Sequence, residues 1–204
     1  MLIIKHRCNT IEELKDVPPI YGVEIDIRTR SSEIILHHDP FKDGVSLQRW
    51  LKYYKHKFLI LNIKEEGIEK RVLEMMQENA ISQFFLLDQS FPFLIKTVNS
   101  GESRCAVRVS EYESLSTALS IQDRVRWIWL DMFTHFPLSK IECRILNNAD
   151  CQVCLVSPEL HGHPESKVKQ IIQAVINSNV KFDAVCTKNV SLWENYLNQS
   201  KECL

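Results

Sequence analysis

The chain is poor in glycine, with five in 204 residues and no GxGxxG among them. A dinucleotide-binding turn needs glycines to bend tightly and bring the backbone close to phosphate, so that class is disfavoured at its usual place after the first strand. A long apolar run is missing too. No stretch approaches the roughly 20 apolar residues of a membrane span. Leu2-Ile3-Ile4 runs into Lys5-His6-Arg7 too soon to form the apolar core of a signal peptide, so folding is expected to start at the second residue. Neither sign of charge dominates: 25 Lys and Arg stand against 26 Asp and Glu, a formal net charge of −1. With no basic excess, nucleic acid and anionic membrane are not the expected partners. The cysteines do not suggest a secreted disulfide framework either, being seven in number and scattered from Cys8 to Cys203. Reduced thiols and a cytoplasmic location are expected.

What is present is alternation. Short runs rich in Ile, Val, Leu and Phe recur at Leu2–His6, Val23–Arg28, Phe58–Lys64, Phe84–Asp88, Cys105–Val109, Trp127–Asp131, Gln152–Ser157 and Phe182–Thr187. Most are apolar on both faces, as buried parallel strands are. Glu33–Leu36 reads as a hairpin strand added after the second run. Helical stripes lie between, with Val168, Ile171, Ile172, Val175 and Ile176 in 167–179, and Ile68, Val72, Met75, Met76 and Ala80 in 68–80. Capping boxes are expected at Thr10/Glu13, Ser110/Glu113, Ser139/Glu142 and Ser191/Glu194. Eight such units in one domain spanning residues 1–204 predict an α/β fold, a compact (βα)8 barrel with a small accessory hairpin after strand two.

Barrels of this kind carry chemistry at the C-terminal ends of their strands. Here those ends hold His6-Arg7, Glu24 and Asp26, His37-His38-Asp39, then Asn62 and Lys64. Residues two apart on a strand share a face, so Glu24 and Asp26 point together. Their oxygens suit Mg²⁺ or Ca²⁺ rather than Zn²⁺. Arg7 and Lys64 supply positive charge for a phosphate. His6 and His38, with an intrinsic pKa near ~6.5, suit proton transfer at neutral pH. Together they describe phosphodiester cleavage. Asp88, Arg108, Asp131, Glu159 and Lys188 also fall at strand ends, and for Arg108, Asp131 and Glu159 a polyol pocket and mutual pairing are both open. Cys151-Gln-Val-Cys154 reads as the start of a strand, and His161-Gly-His163 as a solvated loop. Trp50, Trp127 and Trp129 read as packing residues.

His6-Arg7-Cys8, Glu24-Ile25-Asp26, His38-Asp39 and Asn62-Ile63-Lys64 resemble, in order, the motifs of the glycerophosphodiester phosphodiesterase family, one of the phospholipase C-like phosphodiesterase barrels. Ser90-Phe91 and Thr187-Lys188 are weaker echoes. The resemblance implies His6 and His38 as the acid/base pair, Glu24 and Asp26 as metal ligands with Asn62 at the third metal position, and Arg7 and Lys64 on the phosphate. It implies attack on phosphorus by water or by a neighbouring substrate hydroxyl, the latter being a lyase reaction with a cyclic phosphate product. The substrate would be a small or glycan-linked phosphodiester. Three departures stand out. Cys8 replaces a glycine, Asn62 replaces a carboxylate, and only residues 40–57 fill a gap where the family has a large insertion, leaving an open or otherwise covered mouth. The Asn62 departure keeps a second function class in view: a catalytically degenerate barrel that binds a phosphorylated ligand or a partner without turnover.

Overall fold

The computed structural model describes residues 1–202, with side chains as far as residue 198, so Cys203 lies outside the described residues. Eight parallel strands form the framework: β1 (Leu2–Lys5), β2 (Gly22–Arg30), β5 (Phe58–Ile63), β6 (Phe84–Leu87), β7 (Ala106–Val109), β8 (Trp127–Leu130), β9 (Gln152–Val156) and β10 (Ala184–Thr187). They pair β6-β5-β2-β1-β10-β9-β8-β7 in parallel ladders. The remaining junction, β6 to β7, is a single parallel bridge between Leu86 and Cys105, with the Leu86 N–H donating to the Arg104 carbonyl at 2.8 Å. The expected (βα)8 arrangement is the one found.

The accessory element is larger than a hairpin. β2 runs on past the barrel and pairs antiparallel with β3 (Glu33–Leu36), which pairs in turn with β4 (Val45–Ser46). The short helix α2 (Leu47–Leu51) follows, and its Trp50 is fully buried with Nε1 donating to the Cys8 carbonyl at 3.0 Å. Residues 40–57 therefore fold back against the start of the barrel.

Side chains alternate along each strand between two cores. Val23, Ile25 and Ile27 face outward into the layer of helices, with Leu59, Leu61, Leu86 and Leu155. The inward set holds Ile4, Phe58, Ile60, Phe85, Leu87, Trp127, Trp129, Val156 and the small residues Ala106, Cys154, Ala184 and Cys186. Four large rings fill the barrel floor, with Phe58–Trp127 centroids at 5.2 Å and Phe85–Trp127 at 4.9 Å. Gly22 makes room for them: a Cβ there would sit 2.9 Å from Ile4 Cγ1 and 3.1 Å from the Phe58 carbonyl oxygen. Apolar layers therefore seal the floor, and the polar residues of the same inward rows are lifted to the mouth.

The capping boxes divide evenly. Thr10/Glu13 and Ser139/Glu142 cap α1 (Ile11–Asp16) and α6 (Lys140–Asn147) reciprocally. Ser110/Glu113 instead closes a turn before α5 (Leu115–Leu119), whose N-cap is Ser114. Ser191 lies inside α8 (Val190–Glu202), where Asn189 Oδ1 accepts from the Leu192 N–H. α3 (Glu69–Glu78) buries Val72, Met75 and Met76, and α7 (Glu165–Asn177) buries Val168, Ile171, Ile172 and Val175. The ends of the expected stripes escape burial: Ala80 lies beyond α3 with φ 55°, and Ile176 is 44 % exposed. α4 (Phe91–Asn99) follows β6, and a 3-10 turn, Pro158–His161, follows β9.

Candidate active site

Glu24 and Asp26 are fully buried and share the inward face of β2. Charges so placed need partners. Glu24 Oε2 accepts the Arg7 backbone N–H at 2.7 Å and Oε1 accepts Asn62 Nδ2 at 2.9 Å. The first of these needs a left-handed turn, and Arg7 supplies it with φ 57°. Cys8, which stands at the family's glycine position, is not among the positive-φ residues and packs as a buried core residue. Asp26 is bracketed by Asn9, which donates from Nδ2 to Oδ2 at 2.9 Å and accepts the Asp26 N–H at 2.8 Å. Arg7 Nε stands 3.4 Å from Asp26 Oδ2, and Lys64 Nζ 3.5 Å from Oδ1. Burial, with Asp26 alongside, pushes the Glu24 carboxyl upward.

His6 joins this group, its Nε2 3.8 Å from Glu24 Oε2. Burial, then Arg7, lowers its pKa to about 4. His6, Arg7, Glu24, Asp26, Asn62 and Lys64 thus meet at one end of the barrel. His38 stands apart: 43 % exposed, it bonds Asp39 through Nδ1 at 2.8 Å. With Arg7, His37 and Arg49 it lines a cavity of about 820 Å³ under the β3–β4 meander. Arg7 links this cavity to the carboxylates.

Four buried side-chain atoms in the group carry no hydrogen bond: His6 Nδ1, Arg7 Nε, Asp26 Oδ1 and Asn62 Oδ1. Asp26 and Asn62 are register partners across β2 and β5, so the two unbonded oxygens stand on adjacent strands beside Glu24. Two carboxylates and an amide oxygen fit a hard divalent cation by donor chemistry. Among the described residues no cluster of three acidic, histidine or cysteine side chains is placed to hold a metal, and the third oxygen donor here is an amide.

The other half of the mouth is an ion-pair chain. Lys64 Nζ lies 3.1 Å from Asp88 Oδ2, and Arg108 joins Asp88 to the buried Asp131. Burial would raise the Asp88 carboxyl, but Arg108 and Lys64 outweigh it and hold it low. Arg108 and Asp131 therefore pair with each other. Glu159 accepts from the hydroxyls of Ser157 and Thr187. His161 does not belong to a solvated loop: it is 20 % exposed, bonds Asp131, and packs on Phe133 at 4.7 Å. Reasoning from sequence missed Asn9; its only signal was a position two residues after Arg7. The six described cysteines are free, and Cys151 and Cys154 do not pair.

No family model and no curated protein matches the sequence. Solved structures do match in fold. A glycerophosphoryl diester phosphodiesterase from Parabacteroides distasonis ATCC 8503 superposes with a TM-score of 0.62 at 12% identity, over 92% of this chain and 82% of its own. A glycerophosphodiester phosphodiesterase from Agrobacterium tumefaciens str. C58 gives 0.60 at 12%, over 92% and 95%. The chain shares the fold of these phosphodiesterases. No helix among the described residues is long and apolar enough to cross a membrane.

Proposed function

We propose that this chain is a metal-assisted phosphodiesterase of the cytoplasm, acting on a glycerophosphodiester or another small or glycan-linked phosphodiester. One observation carries the reading: Glu24 and Asp26 are buried side by side with Arg7, Lys64 and His6 around them, leaving Asp26 Oδ1 and Asn62 Oδ1 unbonded. Mg²⁺ or Ca²⁺ held by Glu24, Asp26 and Asn62 would offset phosphoryl charge and lower the pKa of the attacking hydroxyl. Arg7 and Lys64 bind the phosphoryl oxygens and fix the phosphorus over the mouth. His6 exchanges a proton on the carboxylate side, and His38 serves the opposite side from its cavity wall.

The test is turnover of glycerophosphocholine and of a chromogenic aryl phosphodiester, with and without a chelator, following products by ³¹P NMR. Chelator-sensitive release of a phosphomonoester supports the hydrolase reading, and a cyclic phosphate product marks the lyase course. A specific feature favours the degenerate barrel as second reading. The Asn62 amide hydrogen-bonds Glu24 and the Lys64 ammonium stands 3.5 Å from Asp26 Oδ1, so both carboxylates have a partner without a metal ion. Phosphate binding without turnover of either diester is its expected outcome.

A further inference from the structure

Between β6 and β7, where the strands share one bridge, the mouth widens into a cavity of about 620 Å³. Its lining mixes apolar side chains, Leu87, Leu94 and Val107 among them, with a polar group. Asp88, Ser90, Arg108 and Glu113 are among its polar lining residues near the strand ends. The Ser90 Oγ is buried with no hydrogen bond. Two aromatic residues line it, Phe91 and Tyr112; Tyr112 is 76 % exposed, with its ring 5.8 Å from Phe133 outside the cavity. Tyr112 is not loosely placed. Ser110 Oγ accepts the Tyr112 N–H at 3.2 Å and donates to Glu113 Oε2 at 2.7 Å, pinning the turn that carries the ring. This is what the Ser110/Glu113 pair does in place of capping a helix.

We propose that this cavity is a subsite for a single sugar ring of the substrate. Carboxylates accept from ring hydroxyls, a guanidinium donates to ring and hydroxyl oxygens, and an exposed aromatic face takes the apolar C–H face of a pyranose. The volume suits one ring and a linkage. Asp88 fixes the direction, because it contacts both Arg108 in the cavity and Lys64 in the phosphate group. A ring seated here has its phosphate reaching Lys64, and the other ester arm reaching the cavity of His38. A planar base would stack on Tyr112 too, but two carboxylates in the wall suit a ligand rich in hydroxyl donors. The proposal rests on the phosphodiesterase reading for the place of the phosphate.

The experiment titrates the full chain with methyl α-glucopyranoside, glucose 1-phosphate, uridine monophosphate and inorganic phosphate, followed by amide NMR shifts at Ser90 and Tyr112. The glucoside and the sugar phosphate are expected to shift both amides, with the sugar phosphate binding more tightly than phosphate. Tyr112→Ala should weaken glucoside binding about five- to tenfold, the loss expected for one aromatic contact. Tyr112→Phe should keep it, and inorganic phosphate should bind all three proteins equally. Thermal melting of Tyr112→Ala close to that of the parent is the control that this variant is folded. No shift with the glucoside, or a glucoside affinity indifferent to Tyr112→Ala, overturns the subsite, as does tighter binding of uridine monophosphate than of the sugar phosphate. Glucoside binding that depends on Tyr112, in a protein that neither binds phosphate nor cleaves a diester, upholds the subsite and removes the phosphodiesterase reading instead.

Discussion

The two halves of the barrel mouth handle buried charge in opposite ways. On the β1–β2–β5 side, Glu24 and Asp26 are held by neutral donors, the Arg7 backbone N–H and the Asn62 and Asn9 amides, with cations at 3.4 and 3.5 Å and four polar atoms left unbonded. On the β6–β7–β8 side, Arg108 joins Asp88 and Asp131 directly, and the unbonded atoms, Ser90 Oγ and Gln89 Nε2, belong to neutral side chains. A half with unspent polar atoms is prepared for something to arrive, since a buried unpaired group costs free energy until it is satisfied. A half whose charges are paired directly is built to hold shape. Chemistry is expected from the first half, and positioning from the second.

Several substitutions would sharpen or break that division. The largest effect is expected at His6: His6→Ala should lower kcat by roughly 10²–10⁴-fold on a cleaved diester while leaving the melting temperature nearly unchanged. A variant with parental kcat/KM would move the proton transfer elsewhere. On the paired side the signature reverses. Arg108→Met removes the guanidinium shared by Asp88 and the buried Asp131, leaving them to Lys64 and His161, and should cost about 3–5 kcal/mol in urea unfolding. An Arg108→Met protein of parental stability would mean that the chain of ion pairs holds nothing.

Glu111 offers a pH test of the same half. Its side chain is 7 % exposed and accepts N–H groups of Phe133, Thr134 and His135 at 3.1, 2.7 and 2.8 Å. Burial alone would raise its carboxyl, but these donors outweigh it and bring it from 4.5 to about 2. The folded state therefore holds this carboxylate ionised where the unfolded chain is already protonated. The stability it contributes is complete above the ordinary carboxylate range and is lost as pH falls through about 2. Glu111→Gln should lower stability at pH 7 by about 1–3 kcal/mol and flatten the acid dependence of the melting temperature. Parallel acid curves for the two proteins would exclude that role.

The smallest change is expected at Asn62. Asn62→Glu adds a third negative oxygen donor beside Glu24 and Asp26, and should tighten Mg²⁺ or Ca²⁺ binding by roughly tenfold in calorimetric titration. With no ion bound it crowds three acids together, so the metal-free protein should melt lower than the parent. If neither protein binds either ion, the cation is not part of this site.

Much of this was legible in the residues. Each of the eight strand runs was found within a few residues of its expected bounds, because strands buried on both faces are apolar throughout and hard to mistake in alternation with helices. Charge at strand ends was legible for the same reason: Glu24, Asp26 and Lys64 interrupt rows that are otherwise apolar. What stayed hidden depends on tertiary contact. Nothing local says that Asn9 will reach Asp26, or that Ser110 will spend its hydroxyl on a turn when its spacing to Glu113 fits a cap. His161 looked like a loop residue because its partner, Asp131, lies 30 positions away. The conformation of the turn after β1 stayed hidden as well: its left-handed residue is Arg7, one position before the Cys8 that replaces a glycine.

The single bridge between Leu86 and Cys105 has a mechanical consequence. Every other junction of the ring is a ladder of two or more register pairs, so this is the place where the cylinder unrolls most cheaply. What spans it near the mouth is the Asp88–Arg108 pair, one side chain from each flanking segment. A ring seated in the cavity above would bridge the same two segments and act as a removable staple. Ligand would then slow hydrogen exchange at the Leu86 amide before it raised the stability of any other strand, making that one proton a reporter of whether the barrel is filled.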